Sequence, residues 1–223
     1  MKPKYDEKDI SGRIVSRLTL YLNILYDFLE TKEEINSIEL ASKMNTTAVQ
    51  VRKDLSTFGE FGVRGKGYQV RHLIETIESI LGIDEENELI LVGYGKMGKL
   101  IASNTSDVLG KGFKLLDIFE KDPEKIGEKI KNLDLTIKDI KDVAKYIKEN
   151  NVHTAILAVN SNVAQSVAQE IVDAGVEAIL NMTTTKLDFP DDIAIVRADI
   201  SGRLKELNFW RKFQGSKFGI DKD

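Results

Sequence analysis

Residues 89–100 constrain the fold of this chain more than any other segment. They begin with the apolar run Leu-Ile-Leu-Val and continue through the pattern Gly93-x-Gly95-x-x-Gly98 into the start of a helix. A strand, a glycine turn and a helix in immediate succession are typical of the first part of a Rossmann-type unit that binds a dinucleotide. The three glycines there permit a tight turn, the approach of a pyrophosphate and close packing of helix on strand, while the helix N-terminus provides an anion site.

The rest of the second half alternates predicted strands and helices. The expected strands are 89–92, 114–119, 153–159, 178–181 and 193–197, and the expected helices are 97–109, 140–149 and 163–174. Continuous apolar runs such as 155–159 are typical of parallel strands that are buried on both faces. The pattern therefore predicts an α/β domain with a Rossmann-type parallel sheet, beginning after a boundary at 82–87.

The glycine turn and the end of the following strand supply the predicted cofactor contacts. These residues are Gly93, Tyr94, Gly95, Lys96, Met97, Gly98 and Glu120. Glu120 lies 22 residues after Gly98, where an acid accepts hydrogen bonds from the adenosine ribose. A carboxylate there repels a 2′-phosphate, so we expect NAD(H) rather than NADP(H). Two points remain open: Glu120 is alternatively a surface acid of a charged run, and the neighbouring Lys121 weakens the discrimination.

The first half carries the spacing of a helix-turn-helix. A helix is predicted over 16–30, and a second begins with Ser37 as its N-cap and ends near Met44. Thr47 and Gln50 have capping-box spacing at the start of a third helix that continues to about Phe58. Two short helices joined by three or four residues indicate a DNA-binding motif.

A glycine-rich segment follows the third helix. Four glycines fall between 59 and 67, and the apolar residues Phe61, Val63, Tyr68 and Val70 alternate around them. This pattern predicts a two-stranded hairpin, the wing of a winged helix. A further helix is expected over 71–81, ended by Gly82.

Charge and exposure indicate which residues contact DNA. The net charge of the chain is −4, yet the segment 43–71 contains six basic residues and only two acidic ones. Such a basic patch on an acidic body is typical of a protein that binds DNA through one surface. The predicted DNA contacts are Thr47, Gln50, Arg52, Lys53, Ser56, Arg64 and Lys66. The alternative for the third helix is an amphipathic helix whose polar face is merely solvated.

Composition narrows the function further. The chain has no cysteine, which excludes disulfides, thiolate zinc sites and thiol redox sensing, so any redox response must come through a bound cofactor. The N-terminus is charged, unlike a signal peptide, and the longest stretch without charge, 152–169, is rich in polar residues. We expect a cytoplasmic protein with no membrane segment and no metal.

A catalytic role is not expected. Hydride transfer to a carbonyl normally needs a proton donor beside the nicotinamide. His153 begins a predicted strand, at the end remote from a Rossmann ligand crevice, and His72 belongs to the first half. About 115 residues from Ile83 to the tail also leave little room for a substrate domain.

The chain end, 203–213, has apolar residues at steps of three. Leu204, Leu207, Trp210 and Phe213 form this stripe on a predicted helix. The helix packs either on its own Rossmann core or on a partner subunit, and DNA-binding proteins of this class usually act as dimers.

Taken together, these segments resemble the Rex family of redox-sensing transcriptional repressors over nearly the whole chain. Besides the glycine turn, the matching segments are 17–22 (RLTLYL), 39–41 (ELA), 50–68 (QVRKDLSTFGEFGVRGKGY), 122–127 (DPEKIG), 155–159 (AILAV), 179–181 (ILN) and 198–200 (ADI). The resemblance implies a homodimer that binds palindromic operator half-sites and releases them when NADH binds, whereas NAD+ competes without causing release. It implies a winged-helix domain at 1–82, a Rossmann domain at 83–200 and a C-terminal helix at 201–223 that is swapped between protomers.

Some positions carry family roles and others depart from the family pattern. Glu120 stands where the family more often has Asp, and Arg17 and Asp199 match an interdomain pair that is our candidate conformational switch. Asn104 and the segment 181–184 depart from the family near the nicotinamide. Two alternatives stay open: a small NAD-dependent reductase, and a sensor that binds coenzyme A or another nucleotide.

Overall fold

The computed structural model describes residues 10–44, 46–59 and 67–212. The chain divides into two compact units. One comprises the residues up to Glu85 together with those from Glu206, and the other comprises Glu86–Lys205.

In its described residues the first unit is a small helical domain with one two-stranded sheet. Its elements are α1 (Gly12–Phe28), β1 (Glu34–Ile35), α2 (Ser37–Lys43), α3 (Ala48–Ser56), β2 (Tyr68–Gln69) and α4 (Val70–Leu81). The apolar faces of the helices form one core, in which Leu18, Leu25 and Ile77 are fully buried. This is the helical arrangement that the spacing of apolar residues predicts.

The N-cap of α2 differs from the prediction. Asn36, not Ser37, is the capping residue, and its Oδ1 accepts hydrogen bonds from the backbone N–H groups of Ile38 and Glu39. Glu39 completes the capping box by accepting from the Asn36 backbone. Ser37 is already helical, and its hydroxyl accepts a hydrogen bond from Arg52 Nη1 at 2.8 Å. Asn is as good an N-cap as Ser, so propensity alone does not separate the two positions.

Only part of the predicted wing lies within the described residues. Residues 60–66, which include Arg64 and Lys66, lie outside the described residues. The described strand β2 pairs antiparallel with β1, and Val70, expected in the hairpin, begins α4 and is buried. Gly67 has φ +88°, and a side chain there would lie 2.7 Å from the Ile35 carbonyl oxygen, so the close β1–β2 approach requires glycine.

The second unit is built on a six-stranded parallel sheet. Its elements are β3 (Asn87–Val92), α5 (Lys96–Ser103), α6 (Thr105–Leu109), β4 (Phe113–Glu120), β5 (Lys129–Ile130), β6 (Leu135–Thr136), β7 (Lys138–Asp139), α7 (Val143–Asn150), β8 (Thr154–Leu157), α8 (Ala164–Ala174), β9 (Ala178–Asn181) and β10 (Ala194–Arg197). The strand order is β10-β9-β8-β3-β4-β7, and every neighbouring pair is parallel. The helix α9 (Ile200–Lys212) follows the last strand.

Successive residues of β3 explain why the sheet is covered on both sides. Ile90 and Val92 belong to one apolar cluster, and Leu89 and Leu91 belong to another. Because side chains alternate across a strand, both faces of β3 are buried. The continuous apolar runs therefore predict the parallel sheet correctly.

Several boundaries differ from the predictions. The expected helix 97–109 is interrupted at Asn104, whose φ of −136° and ψ of 45° are not helical, so α5 and α6 are separate. The short strands β1, β5, β6 and β7 have only two residues each, too few to produce a periodic signal. Helix α9 has no buried residue, and the expected stripe member Phe213 lies outside the described residues.

No helix in the described ranges is both long and apolar enough to cross a membrane. Within the same ranges, no cluster of three or more His, Asp or Glu side chains is arranged to hold a metal ion.

Candidate cofactor cleft and nucleic-acid interface

Two glycines of the turn after β3 are required by the protein itself. Gly93 has φ +103°, and a Cβ there would lie 2.6 Å from the Ala158 backbone. A Cβ on Gly98 would lie 2.0 Å from the Gly93 carbonyl oxygen. Side chains at these positions would separate β3 from β8 and from α5.

Gly95 differs from its two neighbours. It is the N-cap of α5, its φ of −76° suits any residue, and nothing lies within 4 Å of where its Cβ would be. The space is open, so the structure itself does not require glycine there. The missing side chain leaves the N-terminus of α5 accessible to a ligand.

The open space belongs to a cleft of about 490 Å³. Its walls come from the glycine turn, the end of β4 and the residues that follow β8, and include Gly95, Glu120, Val159 and Val163. The cleft therefore lies at the carboxyl ends of parallel strands, where Rossmann-type sheets bind ligands. Its size suits a small molecule with several rings.

Glu120 lines this cleft and is itself buried. Its Oε2 accepts a hydrogen bond from the Tyr94 backbone N–H at 2.6 Å. Its Oε1 accepts from the backbone N–H groups of Lys121 at 2.8 Å and Asp122 at 3.1 Å. A carboxylate has about four acceptor positions, so one position on Oε2 is left for a ligand hydroxyl.

The predicted cofactor residues occupy different places. Gly93, Gly95 and Glu120 line the cleft. Tyr94 places its side chain in the core, where burial raises the pKa of the phenol, and only its backbone N–H meets Glu120. The remaining three, Lys96, Met97 and Gly98, form the first turn of α5 and are not among the cleft-lining residues.

Sequence reasoning missed part of the cleft wall. Asp122 and Lys125 stand at its rim, 3.0 Å apart, and the hydrogen bond from Lys125 lowers the pKa of Asp122. Ala158, Val159 and Asn160 follow β8 on the opposite wall. The rule that ligands bind at strand carboxyl ends indicates the residues that follow β8, because the sequence predicts a strand over 153–159.

The segment after β9, which departs from the family pattern, is an ordered turn. Asn181 is buried, donates to the Thr185 carbonyl oxygen and accepts from the backbone and hydroxyl of Thr183. Thr184 and Thr185 both hydrogen-bond Ser161, which belongs to the loop after β8. These contacts fix the β9 loop beside the cleft wall.

The other departure, Asn104, is at the break between α5 and α6. Its side-chain amide donates to the Leu100 carbonyl oxygen and to the Ser103 hydroxyl. Its polar contacts are therefore with its own helix end.

Helix α3 divides into a core face and an exposed face. Val51 and Leu55 are buried, whereas Val49 is 66% exposed and Lys53 is also exposed. Thr47 Oγ1 accepts from the Gln50 backbone at 3.1 Å, so Thr47 caps the helix. The reciprocal half of the predicted capping box is absent, because the Gln50 side chain bonds Asp54 instead.

The polar residues of α3 differ in how far they are constrained. Arg52 donates one guanidinium N–H to the Ser37 hydroxyl, and this bond holds the Arg52 side chain toward α2. Ser56 donates its hydroxyl to the Lys53 carbonyl oxygen at 2.9 Å. Within the described ranges the exposed Lys53 ammonium forms no ion pair or hydrogen bond, so it is available to a phosphate or a base.

Arg17 lies in the first unit and pairs with the buried Asp54. Its Nε is 2.5 Å from Asp54 Oδ2, and its Nη2 is 2.7 Å from Oδ1. Burial alone raises the pKa of Asp54, but hydrogen bonds from Arg17, Tyr21 and Gln50 outweigh it and hold the pKa below its usual value. Asp199, the predicted partner of Arg17, accepts hydrogen bonds from Arg197 and from the Gly202 backbone.

Both halves of the chain match known families. Residues 9–56 match the model described as a putative DNA-binding protein N-terminus, and residues 84–185 match the CoA binding domain model. The redox-sensing transcriptional repressor Rex of Caldicellulosiruptor saccharolyticus is 36% identical over 92% of this chain and 93% of its own length. The corresponding Rex 1 of Thermotoga maritima is 38% identical over 91% and 94%. This chain belongs to the Rex family.

Solved structures of a Rex-family repressor, RSP, share the fold. RSP in complex with NAD+ and operator DNA matches with a TM-score of 0.82 and 34% identity, covering 93% of this chain and 98% of RSP. RSP in complex with NADH matches with a TM-score of 0.78 and 32% identity, covering 92% and 99%. The Rex relatives thus span both the helical unit and the Rossmann unit.

Proposed function

We propose that this protein is a DNA-binding transcriptional repressor that senses the cellular NADH/NAD+ ratio and leaves its operator when NADH binds. One observation carries the proposal: a single chain holds both a basic, outward-facing helix and a glycine-turn cleft, and its full-length relatives are redox-sensing repressors. It is a regulator rather than an enzyme, as are those relatives.

Three segments of the chain carry the three parts of this proposed function. DNA binding belongs to residues 1–82, cofactor binding to 83–200 and dimerisation to the terminal helix 201–223. The protein acts in the cytoplasm as a homodimer on palindromic half-sites. The exposed apolar side chains of α9, Leu204, Leu207 and Phe209, support a role for this helix in subunit contact.

NAD(H) is the ligand of the cleft. Its pyrophosphate would lie over Gly95 at the N-terminus of α5, and its adenosine ribose would donate to the free acceptor position of Glu120. The reduced nicotinamide is neutral, whereas the oxidised ring is cationic and costs more to transfer into an apolar site. The proposed contacts of Lys96, Met97 and Gly98 are through the backbone of the first turn of α5.

Operator DNA is the ligand of α3 and the wing. Thr47, Gln50, Arg52, Lys53 and Ser56 supply contacts from α3, and the wing residues Arg64 and Lys66 contact the DNA backbone or minor groove. The proposed conformational switch is the pair Arg17 and Asp199.

The response requires two dimer states that NADH and operator DNA favour differently. A ligand with equal affinity for both states shifts nothing, so NADH must bind the DNA-free state more tightly. A coupling of about 1–3 kcal/mol changes operator affinity roughly 5- to 150-fold, which is sufficient for regulation.

A titration of operator binding with each cofactor tests the proposal. Native promoter fragments are labelled, and their affinity for the full-length protein is measured across NADH/NAD+ ratios at fixed salt, because affinity depends steeply on salt. We expect NADH to release the DNA and NAD+ to compete with NADH without release. Equal responses to both nucleotides would end the proposal.

One observation favours a second candidate. The matched model for 84–185 is described as a CoA binding domain, so coenzyme A in the same cleft is the alternative effector. Mass analysis of the ligand that co-purifies, followed by titration of the protein with NADH and with coenzyme A, separates the two.

A further inference from the structure

The buried carboxylate of Asp54 fixes the side chain of Gln50 on the third helix. Asp54 Oδ1 accepts from Arg17 Nη2 at 2.7 Å and from Gln50 Nε2 at 2.7 Å. Asp54 Oδ2 accepts from Arg17 Nε at 2.5 Å and from Tyr21 Oη at 2.8 Å. Two donors on each oxygen fill the acceptor positions of a carboxylate, so the arrangement is complete.

This contact determines which way the Gln50 amide points. A carboxylate without a proton only accepts hydrogen bonds, so the Gln50 atom that faces Asp54 must be the amide nitrogen. A flipped amide would place Gln50 Oε1 against Asp54 Oδ1 with no hydrogen between them. The amide therefore keeps one N–H on Asp54 and leaves its oxygen and its second N–H for another partner.

Gln50 also occupies a position from which recognition helices contact bases. It is the third residue of α3, and the N-terminal residues of a recognition helix are those that contact base edges in the major groove. Its neighbour Val49 is 66% exposed, and an apolar side chain on this face suits contact with a thymine methyl.

We infer that Asp54 makes Gln50 a contact specific for adenine by taking one of its two amide donors. Adenine presents an amino donor and the N7 acceptor, which match the remaining oxygen and N–H of Gln50. Guanine presents two acceptors, and a free Gln amide would meet both with its two N–H groups. Because Asp54 holds one N–H, Gln50 has only one N–H left and cannot donate to both acceptors of guanine. Asp54 thus acts as a positioning residue, and the inference rests on the proposed DNA binding.

The test compares base preference across three proteins. The full-length wild type first selects its sites from duplexes with random base pairs, and affinity is then measured with every base at every position. Gln50→Ala removes the contact and leaves Arg17, Tyr21 and Asp54 together. Asp54→Asn supplies an amide that donates to Gln50 Oε1 and frees both Gln50 N–H groups. Glu75→Gln removes one exposed carboxylate from α4 and is the control for charge.

The expected results concern one position in each half-site. Wild type and Glu75→Gln prefer adenine over guanine there by about 5- to 150-fold, the discrimination of a bidentate base contact. Gln50→Ala loses that preference and keeps the others, and Asp54→Asn shifts it toward guanine. An unchanged preference in Gln50→Ala, or in folded Asp54→Asn, would overturn the inference.

If Asp54→Asn fails to fold, base analogues decide with the wild-type protein. Purine lacks the amino group of adenine, and 7-deazaadenine lacks its N7 acceptor. Each must weaken wild-type binding and leave Gln50→Ala unaffected, and any other result rejects the bidentate contact. Failure of the proposed function is distinguishable, because wild type would then select no site at all.

Discussion

The backbone N–H of Tyr94 donates to Oε2 of Glu120 across 2.6 Å. This bond joins the glycine turn after β3 to the end of β4, so the acid that faces the cleft also holds the turn that shapes it. Cofactor affinity and the geometry of the glycine turn therefore depend on the same buried carboxylate.

Glu120→Gln should weaken NADH binding by about 10- to 150-fold, because hydrogen bonds to a charged group contribute roughly 1.5–3 kcal/mol each. The glutamine amide also places N–H groups among three backbone donors that need an acceptor. Calorimetric titration with NADH measures the change. Asp107→Asn, an exposed acid on α6, is the matched control and should bind like wild type. Equal affinities of Glu120→Gln and wild type would reject the role assigned to this carboxylate.

Arg17→Ala should destabilise the first unit by about 2–3 kcal/mol. It leaves Asp54 buried without a cation, and breaking a buried pair typically costs about 3–5 kcal/mol. The Arg17 side chain is 26% exposed, which reduces the expected loss. Denaturant unfolding measures it, with Arg13→Ala on the exposed side of α1 as the control. If both variants unfold at the same denaturant concentration, the Arg17–Asp54 pair is not stabilising.

This result determines how the proposed switch pair has to be tested. An Arg17 variant would lose both the proposed switch contact and the stabilising contact with Asp54. A regulatory defect in that variant would therefore not show which of the two losses caused it. Asp199→Asn removes the other proposed partner and leaves the Asp54 contacts intact. The pair is supported only if Asp199→Asn alters the NADH response at unchanged stability of the first unit.

The buried carboxylate of Asp54 should make the stability of the first unit sensitive to acid. The pKa of Asp54 is lowered from its ordinary value of 3.8 in the folded protein, so the unfolded chain binds a proton more readily. The stabilisation is therefore fully present above about pH 5, where the carboxyl is ionised in both states, and is lost progressively as the pH falls toward the lower pKa of the folded protein. Thermal melts of wild type and Asp54→Asn at a series of pH values measure this. Their difference in stability should shrink on acidification, and a constant difference would contradict it.

The sequence predicted the elements whose signals are local. The apolar runs of β3 and β8 and the three glycines of the turn placed the parallel sheet and its cleft, because strand burial and glycine geometry depend on adjacent residues. Val51 and Leu55 lie four residues apart, so the buried face of α3 likewise depends on local spacing. The Asn104 break was missed because a polar residue within an apolar period does not by itself end a helix.

The partners of polar side chains could not be predicted in this way. Arg17 and Asp54 are 37 residues apart, and no periodicity connects α1 to the inner face of α3. Gln50 has the spacing of a capping box, yet its side chain donates to Asp54. A buried carboxylate without a hydrogen-bond donor costs more free energy than an exposed backbone N–H, which water can bind. Likewise, the sequence separation between Gly98 and Glu120 predicts a ribose contact. It does not predict the hydrogen bonds that Glu120 accepts from three backbone N–H groups.

Gly95 and Gly98 should respond differently to the same added methyl group. In Gly95→Ala the new Cβ enters open space at an ordinary φ, so the melting temperature should stay near that of wild type while NADH affinity falls. In Gly98→Ala the Cβ would lie 2.0 Å from the Gly93 carbonyl oxygen, and overpacking of this kind costs about 1–3 kcal/mol or more. Thermal melts and NADH titrations of both variants separate the two roles. If Gly95→Ala bound NADH as tightly as wild type, the pyrophosphate would not lie at the N-terminus of α5, and the ligand position proposed for this cleft would be wrong.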